Sequence, residues 1–499
     1  MSSMNMMFTS TWSSASALFL ITSVVVSLTH YWYRWSHPKC NGKLPPGSMG
    51  FPLIGETVQF FIPSRGLDIQ SFIKKRLSKH GKLFRTSIAG QRVVISADQE
   101  FNYHIVQQEG KYVQLWYMEA FTAFFDGLQA KANTAYIHKY IKRTMTNYIG
   151  LESVKDKLIG RLEVMANQGL QSWSTKSSIE FKSSVVDMVA SFTLKEFCNY
   201  DSLLDENMSK KFSFLQGMMS IPLNIPGTAF HKFMKNQKAT MKLLTDILHA
   251  RINARENDSA QQEQQRQPMD LLDLLVNDMK APGDEFVTEN FVVVFLFSVL
   301  LGTFEPVSAV LTLAVIFLTD HPLVVKELQE EYERVLKYRE NAGSPITWTE
   351  YKSMTFTHQV VNETLRISNN SPGLLRKVIK DIDVNGYVIP NGWTLVCLPA
   401  CVHMDPEIYE DPLVFNPWRW NGKPPTAKNF LPFGGGIRNC VGAEYAKVIV
   451  GVFLHVLITK FSWTKIKGGE ASRVPVLIYP NGFHVKVSAN DQIKTSKLT

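Results

Sequence analysis

The strongest candidate for chemistry in this 499-residue chain is Cys440, which lies near the C-terminal end among four glycines and an arginine. Glycines open backbone conformations that are closed to other residues, and they let the backbone approach a flat ligand closely. The stretch 443–460 follows directly and is typical of an amphipathic helix. A cysteine just before a helix N-terminus meets backbone N–H donors and the positive end of the helix dipole, which favour the thiolate. The other interpretation is a buried cysteine in an ordinary glycine-rich turn.

Five fixed positions within ten residues favour a reactive thiolate at Cys440 over an ordinary glycine-rich turn. The pattern F-x-x-G-x-R-x-C-x-G is met by Phe433, Gly436, Arg438, Cys440 and Gly442. At this point the chain resembles the cytochrome P450 family of haem-thiolate monooxygenases. The resemblance implies that Cys440 is the axial ligand of a haem b iron, where a thiolate favours O–O cleavage. It also implies a charge-assisted pair between Arg438 and a haem propionate, with Phe433, Gly434 and Gly442 beside the cofactor.

The longest apolar stretch after the N-terminus predicts a helix from about Thr288 to Thr319. A second transmembrane helix is the alternative, but Glu305 and Pro306 near its middle argue against lipid. The stretch resembles the family's long central helix, in which an acid followed by a threonine passes protons to bound oxygen. Glu305 matches that acid, whereas Pro306 stands where the threonine is expected. We therefore expect Glu305 to be catalytic, and either Thr303 or a substrate hydroxyl to supply the missing hydrogen bond.

A second motif, Glu363-x-x-Arg366, places two opposite charges on one helix face, where they can pair. Such a motif alone is common as a surface ion pair. Its position before Arg419 and Cys440 resembles the family's order, which implies a buried triad of Glu363, Arg366 and Arg419 that braces the cysteine loop. Breaking such a pair strands a buried charge, at a cost of about 3–5 kcal/mol.

Three more cationic side chains are candidates for the haem propionates. His138 and Lys142 are spaced i, i+4 and share a helix face. The family has an Arg where this chain has Lys142, so the positive charge is kept and the guanidinium fork is lost; Arg143 can compensate. Arg376 resembles a further propionate partner on a strand beside the pocket. A solvated basic face is the alternative for the helical residues.

The resemblance also implies the walls of a substrate pocket, and these residues are apolar or aromatic. They suit a polycyclic substrate such as a sterol, brassinosteroid or triterpenoid, in keeping with the plant branch that the central helix and cysteine loop resemble. Each of them could equally belong to the hydrophobic core. The candidates are Trp116, Phe121, Phe125, Met218, Phe295, Val299, Leu374, Leu375 and Ile478.

The amino-acid composition limits the class of protein, its partners and its compartment. Hydrophobic residues make up 45% and charged residues 19% of the chain, which is typical of a globular protein with a sizeable core. The net charge of +9 suits anionic lipid or an acidic protein partner. Nucleic acid is not expected, because no dense basic stripe with interleaved aromatics occurs. The five cysteines are odd in number and scattered, which indicates a reducing compartment and no disulfide framework.

The first 33 residues contain no Lys, Arg, Asp or Glu, and the stretch 12–35 is long enough to span a membrane. A cleaved signal peptide is the competing interpretation, but no positive charge precedes the apolar run. Positive charge after the span predicts a cytoplasmic catalytic body. We expect a membrane anchor at 1–35, a basic and proline-rich hinge at 36–55 that resembles the hinge of microsomal family members, and a catalytic domain at 56–499 that is mainly helical with a smaller β-rich region.

The implied function is insertion of oxygen from O2 into an unactivated C–H bond of a hydrophobic substrate at the endoplasmic reticulum membrane. The implied electron source is NADPH, through a membrane-bound reductase. Successive oxidations leading to side-chain cleavage stay open at this point. Two alternatives also stay open, namely a reductase-independent isomerase or lyase acting on a peroxide, which Pro306 makes conceivable, and a non-catalytic haem or steroid binder.

Overall fold

The computed structural model describes residues 2–117, 135–201, 224–256, 270–281, 286–339 and 344–490. For residues 2–17, 135 and 156 only the backbone is described. Helices are numbered here in chain order within these ranges. They are α1 Ser2–Ser36, α2 Thr57–Phe60, α3 Ser71–His80, α4 Gln99–Ile105, α5 Ala135–Ile149, α6 Leu151–Ser153, α7 Ile159–Ser174, α8 Phe181–Cys198, α9 Ala229–Glu256, α10 Leu271–Lys280, α11 Glu289–Asp320, α12 Pro322–Lys337, α13 Trp348–Ser353, α14 Thr355–Ser368, α15 Pro399–His403 and α16 Ala443–Lys460.

Within the same described ranges the strands are short and form four small sheets. A π-helical turn at Val154–Leu158 joins α6 to α7, and 3₁₀ turns lie at Pro417–Trp420 and Gly436–Arg438. The strands are β1 Ser64–Arg65, β2 Leu83–Ile88, β3 Gln91–Ser96, β4 Val113–Leu115, β5 Ile179–Glu180, β6 Leu374–Val378, β7 Ile382–Val384, β8 Tyr387–Ile389, β9 Thr394–Cys397, β10 Phe461–Gly468, β11 Ser472–Val474, β12 Val476–Ile478 and β13 Phe483–Ala489.

The first of two units in the chain comprises 1–62, 70–116 and 373–398, and its centre is the five-stranded sheet β2-β3-β9-β6-β4. The β-branched strands β2 and β3 pair antiparallel and form a hairpin. Its turn residues Ala89 and Gly90 both have positive φ, 50° and 74°, as the right-handed twist of a tight hairpin favours. Parallel pairing of β3 with β9 places the fully buried Val94 beside Leu395.

The second unit comprises 63–69, 117–372 and 399–499 and contains most of the helices. Its central helix is α11, which packs against α8, α9, α14 and α16. The Thr288 side chain accepts a hydrogen bond from Phe291 N–H and so caps the first turn. The helix ends at Asp320, and His321 is its C-cap before Pro322. The helix predicted at 288–319 is therefore confirmed.

Among the described residues, α11 is also the helix that is long and apolar enough to cross a membrane. Of its most apolar window, 72% is buried inside the protein. A helix that is hydrophobic on nearly all sides is the expected centre of a large core, so its composition follows from its position in the unit.

Candidate functional site

The cysteine loop, defined here as residues 433–442, is shaped by glycine at two points. Gly434 and Gly436 have φ of 74° and 66°, values in the left-handed region that favours glycine. The backbone N–H of Cys440 donates to the carbonyl oxygen of Phe433 at 2.9 Å, which closes the loop. α16 begins three residues after the cysteine, at Ala443, as the sequence predicts. Cys440 is exposed, so its thiol is presented by the loop instead of being packed in the core.

Two opposing effects act on the Cys440 thiol. Although the residue is exposed, the surrounding loop desolvates it, and this effect raises the thiol pKa above its ordinary value. The backbone N–H of Gly442 at the start of α16 lowers the same pKa by a smaller amount. The stabilisation of the thiolate expected from the helix N-terminus is therefore present, but desolvation outweighs it.

Helix α5 places one predicted cation, Lys142, against the cysteine loop. Lys142 Nζ donates to the carbonyl oxygen of Ile437 at 3.1 Å and to Asn439 Oδ1 at 2.7 Å. His138 lies one turn earlier on the same helix and is half-buried, and Arg438 of the loop is also half-buried. The structure thus brings Lys142 and the cysteine loop together.

The three residues of the predicted triad meet around one fully buried carboxylate. Arg366 Nη2 and Nε donate to the two oxygens of Glu363 at 2.8 and 2.9 Å. Arg419 Nε donates to Glu363 Oε1 at 2.9 Å. Sequence reasoning missed a fourth member, Trp420, whose Nε1 donates to Glu363 Oε2 at 3.0 Å. Since Glu363 and Arg366 are both 0% exposed, this is a buried network and not a surface ion pair.

A buried histidine, also missed, joins this network to the residues just before the cysteine loop. The carbonyl oxygen of His403 accepts from Arg366 Nη1 at 2.7 Å. The ring Nε2 accepts from Leu431 N–H at 3.0 Å, and Nδ1 lies 2.7 Å from Asn369 Oδ1. Burial lowers the His403 pKa to about 3, so the ring is neutral and its proton sits on Nδ1.

The central helix has one open face. Val299, Gly302 and Pro306 recur at helical spacing, and Gly302 and Pro306 are exposed although the helix around them is buried. A Cβ atom added at Gly302 would meet no atom within 4 Å among the described residues. Phe295, one turn before Val299, is 3% exposed and belongs to the core. The described residues of the second unit therefore leave open space beside this part of α11.

Glu305 and Thr303 do not share that open face. Glu305 Oε1 accepts from Lys182 Nζ of α8 at 2.7 Å, and the carboxylate is 7% exposed. The Thr303 hydroxyl donates to the carbonyl oxygen of Val299 at 2.6 Å, so its proton is already committed to the helix backbone. Lys182 is a polar partner that no sequence signal indicated, because it lies 123 positions from Glu305.

The remaining predicted residues are spread over both units. In the first unit, Arg376 is buried, with its Nε 3.1 Å from Glu109 Oε2. Trp116, Leu374 and Leu375 of that unit are half-buried, as is Ile478 in β12 of the second unit. Three predicted pocket residues lie outside the described part of the chain: Phe121, Phe125 and Met218.

Comparison with known proteins gives consistent results. A family model described as "Cytochrome P450" matches residues 45–482. Cucurbitadienol 11-hydroxylase of Siraitia grosvenorii is 42% identical over 478 residues, which cover 95% of this chain and 98% of that protein. Beta-amyrin 16-alpha-hydroxylase CYP87D16 of Maesa lanceolata is 40% identical over 478 residues, with the same coverage of 95% and 98%.

A more distant relative and a solved structure extend the comparison. Cholesterol 22-hydroxylase CYP90B27 of Paris polyphylla is 31% identical over 481 residues, 94% of this chain and 97% of that protein. The structure of retinoic acid bound cyanobacterial CYP120A1 aligns with a TM-score of 0.76 at 23% identity and covers 90% of this chain and 100% of that one. This likeness shows the same fold, mainly helical with a smaller sheet region.

Proposed function

This chain belongs to the cytochrome P450 family, and from that premise we propose that it hydroxylates a polycyclic triterpenoid or sterol. The observation that carries the substrate class is its identity of 40–42%, over nearly the whole chain, with two hydroxylases whose names state triterpenoid substrates. The open, apolar-flanked face of α11 supports the same class, since a rigid hydrocarbon skeleton needs room and little hydrogen bonding.

Enzymes of this family use haem b, with electrons from NADPH through a reductase. The residues present fit that group. An exposed soft sulfur at the start of a long helix is a suitable iron ligand, and a cation held at the same loop suits an acidic cofactor edge. Cys440 would supply the thiolate ligand of the haem iron, and Phe433, Gly434 and Gly442 would lie around the cofactor. In the second unit, the proposed propionate partners are His138, Lys142 and Arg438.

The bound haem supplies the activation of O2, and the protein's own side chains supply position, proton transfer and exclusion of water. In the second unit, Gly302 and Pro306 leave space for a substrate beside α11. Glu305 holds a carboxylate one residue from Pro306, and the partly exposed Lys182 links that carboxylate to solvent. We propose that this pair delivers protons during turnover. Glu363, Arg366 and Arg419 hold the polypeptide that leads to the cysteine loop.

The test is product analysis in microsomes that contain the full chain and a plant NADPH–cytochrome P450 reductase. A panel of triterpene alcohols and sterols is supplied, and each product is analysed by mass spectrometry. We expect a product that has gained one oxygen atom and requires both NADPH and reductase. Further oxidised or shortened products would identify successive oxidation.

Two controls accompany this assay. Cys440→Ala is expected to abolish the thiolate-type absorption of the reduced protein with carbon monoxide, together with turnover. An unchanged band in Cys440→Ala contradicts the ligand assignment. Turnover of a peroxide without NADPH or reductase contradicts the monooxygenase cycle in favour of an isomerase or lyase, and a chain that converts none of the panel contradicts the substrate class.

We further propose that α1 anchors the protein by a single span in the endoplasmic reticulum membrane, with the catalytic part in the cytoplasm. Large apolar side chains of α1 are highly exposed, for example Phe19 at 73% and Val25 at 54%, and such a surface is stable only when lipid or protein covers it. Deletion through Lys39 should move part of the protein from the membrane pellet to the supernatant and leave haem content unchanged. Loss of haem in that variant would mean that the segment is structural.

A further inference from the structure

Lys142 is the cation that α5 brings to the cysteine loop, and the loop itself holds this cation in place. Its Nζ donates to the carbonyl oxygen of Ile437 at 3.1 Å and to Asn439 Oδ1 at 2.7 Å. Because an ammonium group can only donate, these contacts also settle that the oxygen end of the Asn439 amide faces the lysine. The neighbouring Arg143 is exposed, and its guanidinium carbon lies 5.8 Å from the centre of the Tyr140 ring on the same helix. Of these two neighbours, Lys142 is therefore the one whose charge reaches the loop.

Asn439 directly precedes Cys440, and the conformation of the loop does not depend on its side chain. Its backbone has φ of −57° and ψ of 149°, which most residues adopt readily. Its N–H donates to the carbonyl oxygen of Gly436 at 3.2 Å, a contact that any residue except proline can make. The described contact of the side chain is the one to Lys142. The carboxamide is therefore used to hold the lysine and not to build the loop.

A held lysine differs from a free one in where its charge resides. The ammonium group sits on a flexible four-carbon stem, so without acceptors the charge is distributed over many rotamers. Two acceptors of the loop, one of them on the residue adjacent to Cys440, restrict Lys142 to one position. These contacts use two of the three N–H donors of an ammonium group. The third donor is available to an acidic group that binds beside the loop.

We propose that Asn439 is a positioning residue that holds Lys142 in place to pair with a haem propionate. This inference rests on the proposed function for the haem ligand Cys440 and the propionate partner Lys142, and it does not depend on the substrate. A fixed cation binds the carboxylate and so helps to retain the cofactor. It also offsets negative charge near the iron, which favours uptake of an electron. Asn439 thus acts on the cofactor through Lys142.

The test uses the full-length holoprotein without substrate or reductase, so that turnover plays no part. The rate of haem dissociation is measured by transfer to an excess of a haem-free globin, and the midpoint potential of the iron by spectroelectrochemical titration. Asn439→Leu should raise the dissociation rate about fivefold, the effect of about one lost hydrogen bond. The midpoint potential should become more negative, because less positive charge then offsets the propionate.

Variants at Lys142 and Asn439 test whether the asparagine acts through the lysine. Lys142→Arg supplies a planar guanidinium that can bind a carboxylate by two parallel hydrogen bonds and is oriented by that pairing. In this background Asn439→Leu should change the dissociation rate less than about twofold. Asn439→Asp keeps the acceptor and should leave the rate within about twofold of the parent. Asn439→Ala serves if Asn439→Leu does not fold, and Asn147→Leu, at an exposed asparagine on α5, is the matched control that should change neither quantity.

The outcomes separate three failures. If Asn439→Leu has no effect, or the same effect with and without Lys142→Arg, the asparagine does not act through the lysine and the inference is overturned. If the parent holds no haem, or Cys440→Ala keeps the thiolate-type absorption, the proposed function fails and this inference fails with it. If the parent holds haem and converts no triterpenoid or sterol, the substrate class alone fails, and the rates and potentials still decide this inference. Faster haem loss and a more negative potential, both diminished in the Lys142→Arg background, support the assignment.

Discussion

Two buried glutamates on neighbouring helices are held in opposite ways. Glu363 of α14 is 0% exposed and accepts hydrogen bonds from Arg366, Arg419, Trp420 and the backbone N–H of Asn416. Glu305 of α11 is 7% exposed and accepts, among the described residues, from Lys182. A saturated carboxylate is fixed in place, whereas one with spare lone pairs can bind a further donor. This difference supports the proposal that Glu363 stabilises the fold and that Glu305 takes part in proton transfer.

The first prediction concerns Glu363, the carboxylate whose hydrogen bonds are saturated. Glu363→Gln removes the negative charge and leaves Arg366 charged and buried, which should lower the free energy of unfolding by about 3–5 kcal/mol. We expect little or no folded, haem-containing protein, measured by absorbance and thermal melting. The matched control is Glu444→Gln on α16, which breaks an exposed i, i+3 pair with Lys447 and should cost less than about 1 kcal/mol. Equal effects would contradict a buried role for the triad.

The second prediction concerns Glu305, which accepts from Lys182 among the described residues. Lys182→Met removes the cation beside Glu305 but keeps an apolar side chain of similar length, so the protein should fold and retain haem. Product formed per NADPH should fall roughly tenfold or more, because a positioned proton-transfer group contributes about 10²–10⁴-fold to a rate. Peroxide released per NADPH should rise in step.

Two control variants accompany Lys182→Met: one replaces another lysine on α8, and the other replaces Lys182 by arginine. Lys195→Met on α8 removes an exposed lysine that is 3.8 Å from Asp201 and should leave product per NADPH unchanged. Lys182→Arg should rescue most of the product yield, since it keeps the charge. If Lys182→Met forms as much product per NADPH as the parent, protons reach the site by another path.

The smallest effect is expected at Thr303. Its hydroxyl proton is committed to the carbonyl oxygen of Val299, so Thr303→Val should change product per NADPH less than about twofold and stability by at most about 1 kcal/mol. Thr312→Val is the matched control, because Thr312 makes the same contact to the carbonyl oxygen of Ser308 at 2.7 Å. A large loss of coupling at Thr303 alone would restore it as the substitute for the missing alcohol.

Local signals in the sequence were sufficient for much of the fold. The family, the monooxygenase class, the central helix and α16 are confirmed, because each depends on periodicity or on a motif within a few residues. The anchor, the domain limits and the roles of the site residues stay predictions.

The contacts that were missed have a common physical cause. Lys182, His403, Trp420 and Arg473 bind partners that lie far away along the chain, and several of those partners are backbone carbonyl oxygens, which every residue carries. Residue types therefore give no signal for them. Thr303 illustrates the converse, since its type suggested a free hydroxyl and only the helix geometry reveals that Val299 uses it.

At Gly302, helix stability and space for a substrate favour different residues. Glycine inside a helix costs about 1 kcal/mol relative to alanine, and no described atom prevents a methyl group there. Gly302→Ala is therefore a stabilising substitution by every criterion internal to the protein. Under the proposed function, the missing methyl group exchanges thermal stability for substrate room, and residue 302 becomes a position where a larger side chain should change product selectivity without weakening the scaffold.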